Sequence, residues 1–134
     1  MAGSVKDLAI YRSSCAVDDL ETAKELLDLG KYKQFLNRSY YSIFHSMRAV
    51  NALDQFDSKK HSGVIAHFNQ HHVKTGEFPR EVSRIIRMAS DMRENADYED
   101  FFLASRQEAE EQIRNAEIFV KYVMEYLKKR DVTV

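Results

Sequence analysis

Residues 37–49, Asn-Arg-Ser-Tyr-Tyr-Ser-Ile-Phe-His-Ser-Met-Arg-Ala, hold the densest set of side chains able to handle an anion. Arg38, Tyr41, His45 and Arg48 recur at steps of three and four, so a helix sets them in one stripe. Arg38 and His45 then stand two turns apart, about 10 Å along the axis, a gap that a phosphodiester and its ribose can span. The stripe adjoins the apolar positions of the segment instead of opposing them, which puts it at a half-buried groove or an interface. Two guanidiniums and an imidazole bind an anion well in such a place. The same spacing also suits a plainer arrangement, in which these cations pair with acids of neighbouring helices.

A second constellation lies in residues 91–100. Arg93 and Asp97 are spaced i,i+4 and can close a surface salt bridge, a contact that is usually structural and worth little when exposed. It stands at the end of an apolar helix, followed by Tyr98 and a cluster of acids. Tyr40–Tyr41, Tyr98 and Phe101–Phe102 are the aromatic residues close to these polar groups. His67 and His71 share the i,i+4 spacing, with His72 adjacent and His61 upstream. No glutamate follows the first of the pair and no cysteine pair supports it, so the expectation is a polar exposed helix face with no dedicated metal site. Cys15 falls on the apolar face of its helix and reads as a small buried hydrophobe. A Ser/His/Asp triad cannot be picked out of such a helical array with any specificity.

The elements that must position these groups are helices. One proline and four glycines in 134 residues are too few turn-formers for a many-stranded protein. A first helix is predicted over 4–29, opened by a Ser4/Asp7 capping box and closed by Gly30. Its inward residues are Leu8, Tyr11, Cys15, Ala23 and Leu26 or Leu27, and its polar middle, 18–21, faces water. The second, 31–53, turns Leu36, Tyr40, Ile43, Met47 and Val50 inward. A loop at 54–60 leads to a short helix over 61–73 with Val64, Ile65 and Phe68 as its apolar side. Residues 75–78 break the pattern, and Pro79 suits the first turn of a fourth helix carrying Val82, Ile85, Ile86, Ala89, Met92 and Ala96. Ser105 with Glu108 caps a fifth helix ending near Arg130, with a seam of Ala109, Ile113, Ala116, Val120, Val123 and Leu127. Exposed pairs are expected at Glu110/Arg114, Glu117/Lys121 and Glu125/Lys129. Short connections favour antiparallel neighbours, so the predicted fold is all-α: an antiparallel up-and-down helical bundle of four long helices plus one short helix, with residues 1–134 forming a single domain.

Composition narrows the function. Lys and Arg total 20 against 21 for Asp and Glu, a formal net charge of -1, which removes the general basic field of a dedicated duplex-DNA binder. Apolar residues at 44% and charged residues at 31% suit a soluble globular domain. The one cysteine cannot form an internal disulfide, no apolar run reaches the roughly 20 residues of a membrane span, and no hydrophobic signal segment follows the N-terminal Met-Ala-Gly-Ser. A cytoplasmic protein is expected. With no strand ahead of any glycine, P-loop and Rossmann readings fail.

The pattern Asn37-Arg38-x-Tyr40-Tyr41-x-x-Phe44-His45-x-x-Arg48-Ala49, then His61-Ser62-Gly63, Lys74-Thr75-Gly76-x-Phe78-Pro79 and Arg93-x-x-Ala96-Asp97-Tyr98, resembles prokaryotic HEPN-domain proteins in order and spacing over nearly the whole chain. The resemblance implies a helical bundle that dimerises. It also implies an RNA- or nucleotide-associated role in a toxin–antitoxin or defence-type system. Many such proteins are metal-independent ribonucleases; others are partners, substrates or nucleotide-binding subunits of a minimal nucleotidyltransferase. The family nuclease signature is an arginine and a histidine separated by four to six residues. Arg93 resembles that arginine, with Tyr98 standing where the histidine is expected. Arg38 and His45, with six residues between them, satisfy the spacing on an earlier helix. On this resemblance Arg38, His45 and Arg93 are the catalytic candidates, Asn37, Tyr41, Arg48, Asp97 and Tyr98 the binding candidates, and no metal or cofactor is required. Histidine would take the proton of an RNA 2′-hydroxyl and arginine would steady the charge growing on the phosphate. The near-neutral chain fits a small, shape-selected RNA contact. The alternative is a non-catalytic subunit that binds nucleotide or a nucleotidyltransferase through the same groove.

Overall fold

The computed structural model describes residues 4–99 and 104–133. Its helices are α1 (Val5–Asp28), α2 (Tyr32–Leu53), α3 (His61–Phe68), α4 (Glu81–Tyr98) and α5 (Arg106–Lys128), with a π-helical turn (Asn69–Val73) continuing α3. Phe101 and Phe102 lie outside the described residues. Capping boxes at Ser4/Asp7 and Ser105/Glu108 open α1 and α5 as expected. Gly30, at φ 73°, takes the left-handed turn that lets α2 start with only three residues between it and α1. α4 starts at Glu81 with Arg80 as its cap, so Pro79 precedes the helix instead of opening its first turn.

Cross-helix contacts set the directions. Arg12 near the start of α1 donates to the Arg48 carbonyl near the end of α2, and Asp19 pairs with Arg38, so these two run antiparallel. Glu81 at the start of α4 accepts from Tyr122 near the end of α5, while Tyr32 and Ser39 of α2 meet Arg106 and Gln112 of α5 in register. The result is an all-helical up-and-down bundle. α2 is the central helix, packed against α1, α3, α4 and α5. Leu36, Tyr40, Ile43, Met47 and Val50 are buried, and so is the whole α5 seam from Ala109 to Leu127. Truncating one of the larger of these to alanine costs roughly 2–5 kcal/mol.

α1 corrects the expectation. Its inward face is Ala9, Arg12, Ser13, Ala16, Leu20 and Ala23, while Leu8 is 41% and Tyr11 65% exposed, and Cys15 is only half-buried. Small residues line this face and fit it closely along α2. Its polar middle does not all face water either: Leu20 is buried and Asp19 turns towards α2. The three predicted ion pairs on α5 do not close; Glu117 reaches Lys24 of α1 at 3.2 Å and Glu110 meets Arg106 at 3.6 Å. The histidines of α3 are not a plain exposed face: His72 is buried and the His67 side chain is only 13% exposed. Among the described residues no helix is long and apolar enough to cross a membrane.

Candidate functional site

Two carboxylates hold the α2 stripe in place. Asp19 accepts from Arg38 at 2.9 Å and lies 3.7 Å from His45 Nε2. Asp57, from the loop after α2, meets Arg12 at 3.1 Å and Arg48 at 3.4 Å. Asn37 Oδ1 takes two further bonds from the Arg38 guanidinium, 3.0 and 2.8 Å long. Pairing with acids of neighbouring elements, the plainer reading of the stripe, therefore exists, and it leaves the guanidiniums beside an aromatic floor. Arg38 sits 5.0 Å from the Tyr41 ring centroid, within cation–π range, and Arg48 sits 6.0 Å from that of Phe44.

α3 and α4 complete the patch. The His61 ring stacks on Phe44 at 4.1 Å, meets Tyr41 edge-on, and shares a 2.8 Å hydrogen bond between its Nδ1 and the Tyr40 hydroxyl. Gly63 makes this entry into α3 possible, because a Cβ there would stand 2.4 Å from Ser58 Oγ. Arg93 of α4 lies 4.7 Å from the Tyr40 ring and 5.9 Å from the Tyr41 ring, held by Asp97 at 3.4 Å. The two arginines that the sequence singled out on separate helices thus approach one Tyr41 ring. Tyr98 stays apart: it is 80% exposed, and no hydrogen bond or ring contact among the described residues joins it to the patch. Asn37, Arg38 and Asp97 also edge a groove of about 420 Å³ lined with Thr22, Leu26, Lys33 and Gln34.

The electrostatics favour neutral imidazoles. Burial pushes the His45 imidazole below its ordinary value of 6.5; Arg48, Arg38 and Arg12 push the same way and Asp19 opposes them. His61 is lowered first by burial, then by Arg93 and Arg48. The Tyr40 hydroxyl is pushed up to about 12 by burial, which keeps it a neutral hydrogen-bonding partner despite Arg93. Among the described residues His45 Nδ1 is buried without a hydrogen-bond partner, and the Nε atoms of Arg48 and Arg93 share that state. The arrangement offers fixed positive charge, apolar ring surface and two unprotonated imidazoles in one place. Such a set can receive a phosphate and remove a proton beside it.

Sequence reasoning missed Asp19, Tyr40 and His61 as members of the site. Asp19 hides in an acidic run, and Tyr40 reads as core. His61 carries a signal only through the His61-Ser62-Gly63 match and through its place at the start of a helix.

A bundle of four long helices and one short one, with an arginine- and histidine-rich aromatic face across α2, α3 and α4, defines the class of the molecule. The sequence profile of the HEPN domain matches residues 12–128, and the chain belongs to the HEPN domain family. It is similar to "Putative toxin MJ0605" of Methanocaldococcus jannaschii, 35% identical over 114 residues that cover 85% of this chain and 84% of that protein. It is also similar to "Putative toxin MJ0142" of the same organism, 30% identical over 87% of this chain and 80% of that protein. A UPF0332 protein of Thermotoga maritima is 31% identical over 82% of this chain and 86% of its own length.

Proposed function

We propose that this chain is a toxin-type HEPN protein of the cytoplasm that acts on RNA, a single-domain metal-independent endoribonuclease working as a homodimer. The observation that carries this reading is the approach of Arg38 and Arg93 to one Tyr41 ring beside two imidazoles held neutral. The arginines grip the scissile phosphodiester, with Arg48 and Asn37 in support and Asp97 holding Arg93. A base of a single-stranded segment packs against the half-buried Tyr41 and His61 rings of the aromatic floor.

Of the two imidazoles, His61 is assigned as proton acceptor and His45 as the group that fixes Asp19 and, through it, Arg38. His45 has a buried Nδ1 and an Nε2 turned to Asp19, whereas His61 commits only Nδ1, to Tyr40. With the Nδ1 proton donated to the Tyr40 oxygen, His61 Nε2 keeps its lone pair. It takes the 2′-hydroxyl proton, the 2′-oxygen attacks phosphorus as the P–O5′ bond breaks, and the 5′-oxygen leaves with a proton from water, giving a 2′,3′-cyclic phosphate while His61 returns its proton to water. Arginine charge offsets the dianionic transition state.

The test is incubation of the purified chain with mixed RNA in EDTA, beside Arg38→Ala, His45→Ala, His61→Ala and Arg93→Ala, with circular dichroism on each. Cyclic-phosphate ends from wild type, lost in folded variants, are expected. Intact RNA in the presence of folded dimeric wild type overturns the reading.

A second reading rests on the groove edged by Asn37, Arg38 and Asp97, and on Tyr98, which follows Asp97 in the chain and is 80% exposed. The groove's volume suits a nucleotide, and the Tyr98 hydroxyl is open to a transferase. Under it the chain binds nucleotide or a minimal nucleotidyltransferase and is modified at Tyr98. ATP and that partner would then raise the mass of the wild type and leave Tyr98→Phe unchanged.

A further inference from the structure

The end of the bundle that carries the loop after α2 holds a second histidine cluster, which the proposed RNA chemistry does not use. Asp54 Oδ2 lies 2.9 Å from His67 Nε2 and 2.6 Å from His72 Nε2. On the far side of the same ring, His72 Nδ1 lies 2.6 Å from Glu77 Oε1. Glu77 is itself fixed by Tyr126 and Arg130, both at 3.3 Å. His67 is clamped between the Phe56 ring at 3.9 Å and the His71 ring at 4.3 Å.

The π-helical turn builds this arrangement. In an unbroken α-helix five residues rotate about 500°, which would put His72 some 140° around the helix from His67. The extra residue of the π turn at Asn69–Val73 reduces that offset and brings both Nε2 atoms to one carboxylate oxygen. His71, which the sequence sets i,i+4 from His67, is exposed as expected, its ring tilted against that of His67 at 4.3 Å.

We infer that Asp54, His67 and His72 form a binding site for a divalent transition-metal ion of the zinc type, with Glu77 orienting His72. The three ligand atoms lie within 4.8 Å of one another. Tetrahedral bonds of about 2.0–2.2 Å set ligand atoms roughly 3.3 Å apart, so the cluster opens by on the order of half an ångström to admit the ion. Two imidazoles and one carboxylate suit zinc or cobalt and not magnesium or calcium. His72 faces a carboxylate oxygen from each ring nitrogen, so an ion between Nε2 and Asp54 leaves Nδ1–H free to donate to Glu77. Glu77–His72–metal is then the carboxylate–histidine relay that orients metal-bound imidazoles. The Asp54 side chain is 34% exposed, which leaves the fourth position open to water. The ion ties the end of α2 to the π turn, at the root of the loop that carries Asp57 and leads into His61.

The test is calorimetric titration of the chelator-treated full chain with Zn²⁺, and absorption spectroscopy with Co²⁺, both independent of RNA cleavage. One Zn²⁺ per chain, an intense tetrahedral Co²⁺ spectrum and a raised Tm are expected. His67→Gln and Asp54→Asn should each weaken binding by more than about tenfold and Glu77→Gln by about 10–100-fold, while His71→Gln leaves it unchanged. The inference is overturned by folded wild type that takes up no Zn²⁺ or gives only an octahedral Co²⁺ spectrum. Binding that survives in folded His67→Gln and Asp54→Asn, or that is lost in His71→Gln, overturns it equally.

Discussion

The two histidine clusters of this protein place the same side chain in opposite company. Around α2, His45 and His61 sit among arginines and ring faces, and burial with positive charge keeps both imidazoles unprotonated. At the end of the bundle, His67 and His72 face Asp54 and Glu77: His67 Nε2 and both ring nitrogens of His72 meet carboxylate oxygens. An imidazole beside cations is a proton acceptor next to a ready-made anion site; one between carboxylates is a positioned donor or a ligand. The difference teaches that function in this bundle follows from what each helix turns towards a histidine, not from the histidines themselves.

The largest effect expected on this contrast is from His61→Ala. Removing a general base should lower cleavage by about 10²- to 10⁴-fold with the helical spectrum intact, while His71→Gln leaves the rate unchanged. Arg93→Ala follows, at about 10²- to 10³-fold in rate, since one preorganised donor to the transition state is lost.

Acid should distinguish the clusters next. His45 and His61 have folded pKa values below 6.5, so the unfolded chain binds more protons between those values and 6.5. Stability therefore rises with pH across that window and falls as pH drops below 6.5. Urea midpoints should decline on acidification from about pH 7.5 to about pH 5.5 and decline less in His61→Asn. The acid limb of kcat/KM should likewise have its midpoint below 6.5.

Smaller is Gly63→Ala. Its methyl meets Ser58 Oγ and shifts the entry to α3, at a cost of roughly 1 kcal/mol and some loss of rate, both relieved by adding Ser58→Gly. Least of all is Lys24→Ala, because the exposed Lys24–Glu117 pair should contribute under about 1 kcal/mol to a denaturation midpoint.

Helix ends and large apolar faces were legible in the sequence because their signals are local. Ser4 and Ser105 cap through their own hydroxyls, Gly30 needs its positive φ, and the α5 seam carries Ile113, Val120, Val123 and Leu127 at helical spacing. The α1 face was not, since Ala9, Ser13 and Ala16 carry little hydrophobic signal and are buried only because α2 lies against them. The stripe of Arg38, Tyr41, His45 and Arg48 could be read from spacing, and so could Arg93–Asp97. Their common ring could not, as it depends on how α4 crosses α2. The π turn defeats any reading in steps of 3.6, and with it went the partner of His67.

The central claim, that Arg38 and Arg93 serve one phosphodiester from two helices, is tested most directly by a double-mutant cycle on RNA cleavage in EDTA. Wild type, Arg38→Ala, Arg93→Ala and the double variant would be compared by kcat/KM, with folding verified for each. The account predicts a double variant little worse than the poorer single one, a coupling of about 1–3 kcal/mol between residues sharing a transition state. Losses that add to within about 0.5 kcal/mol, or intact RNA with the folded wild type, would contradict it.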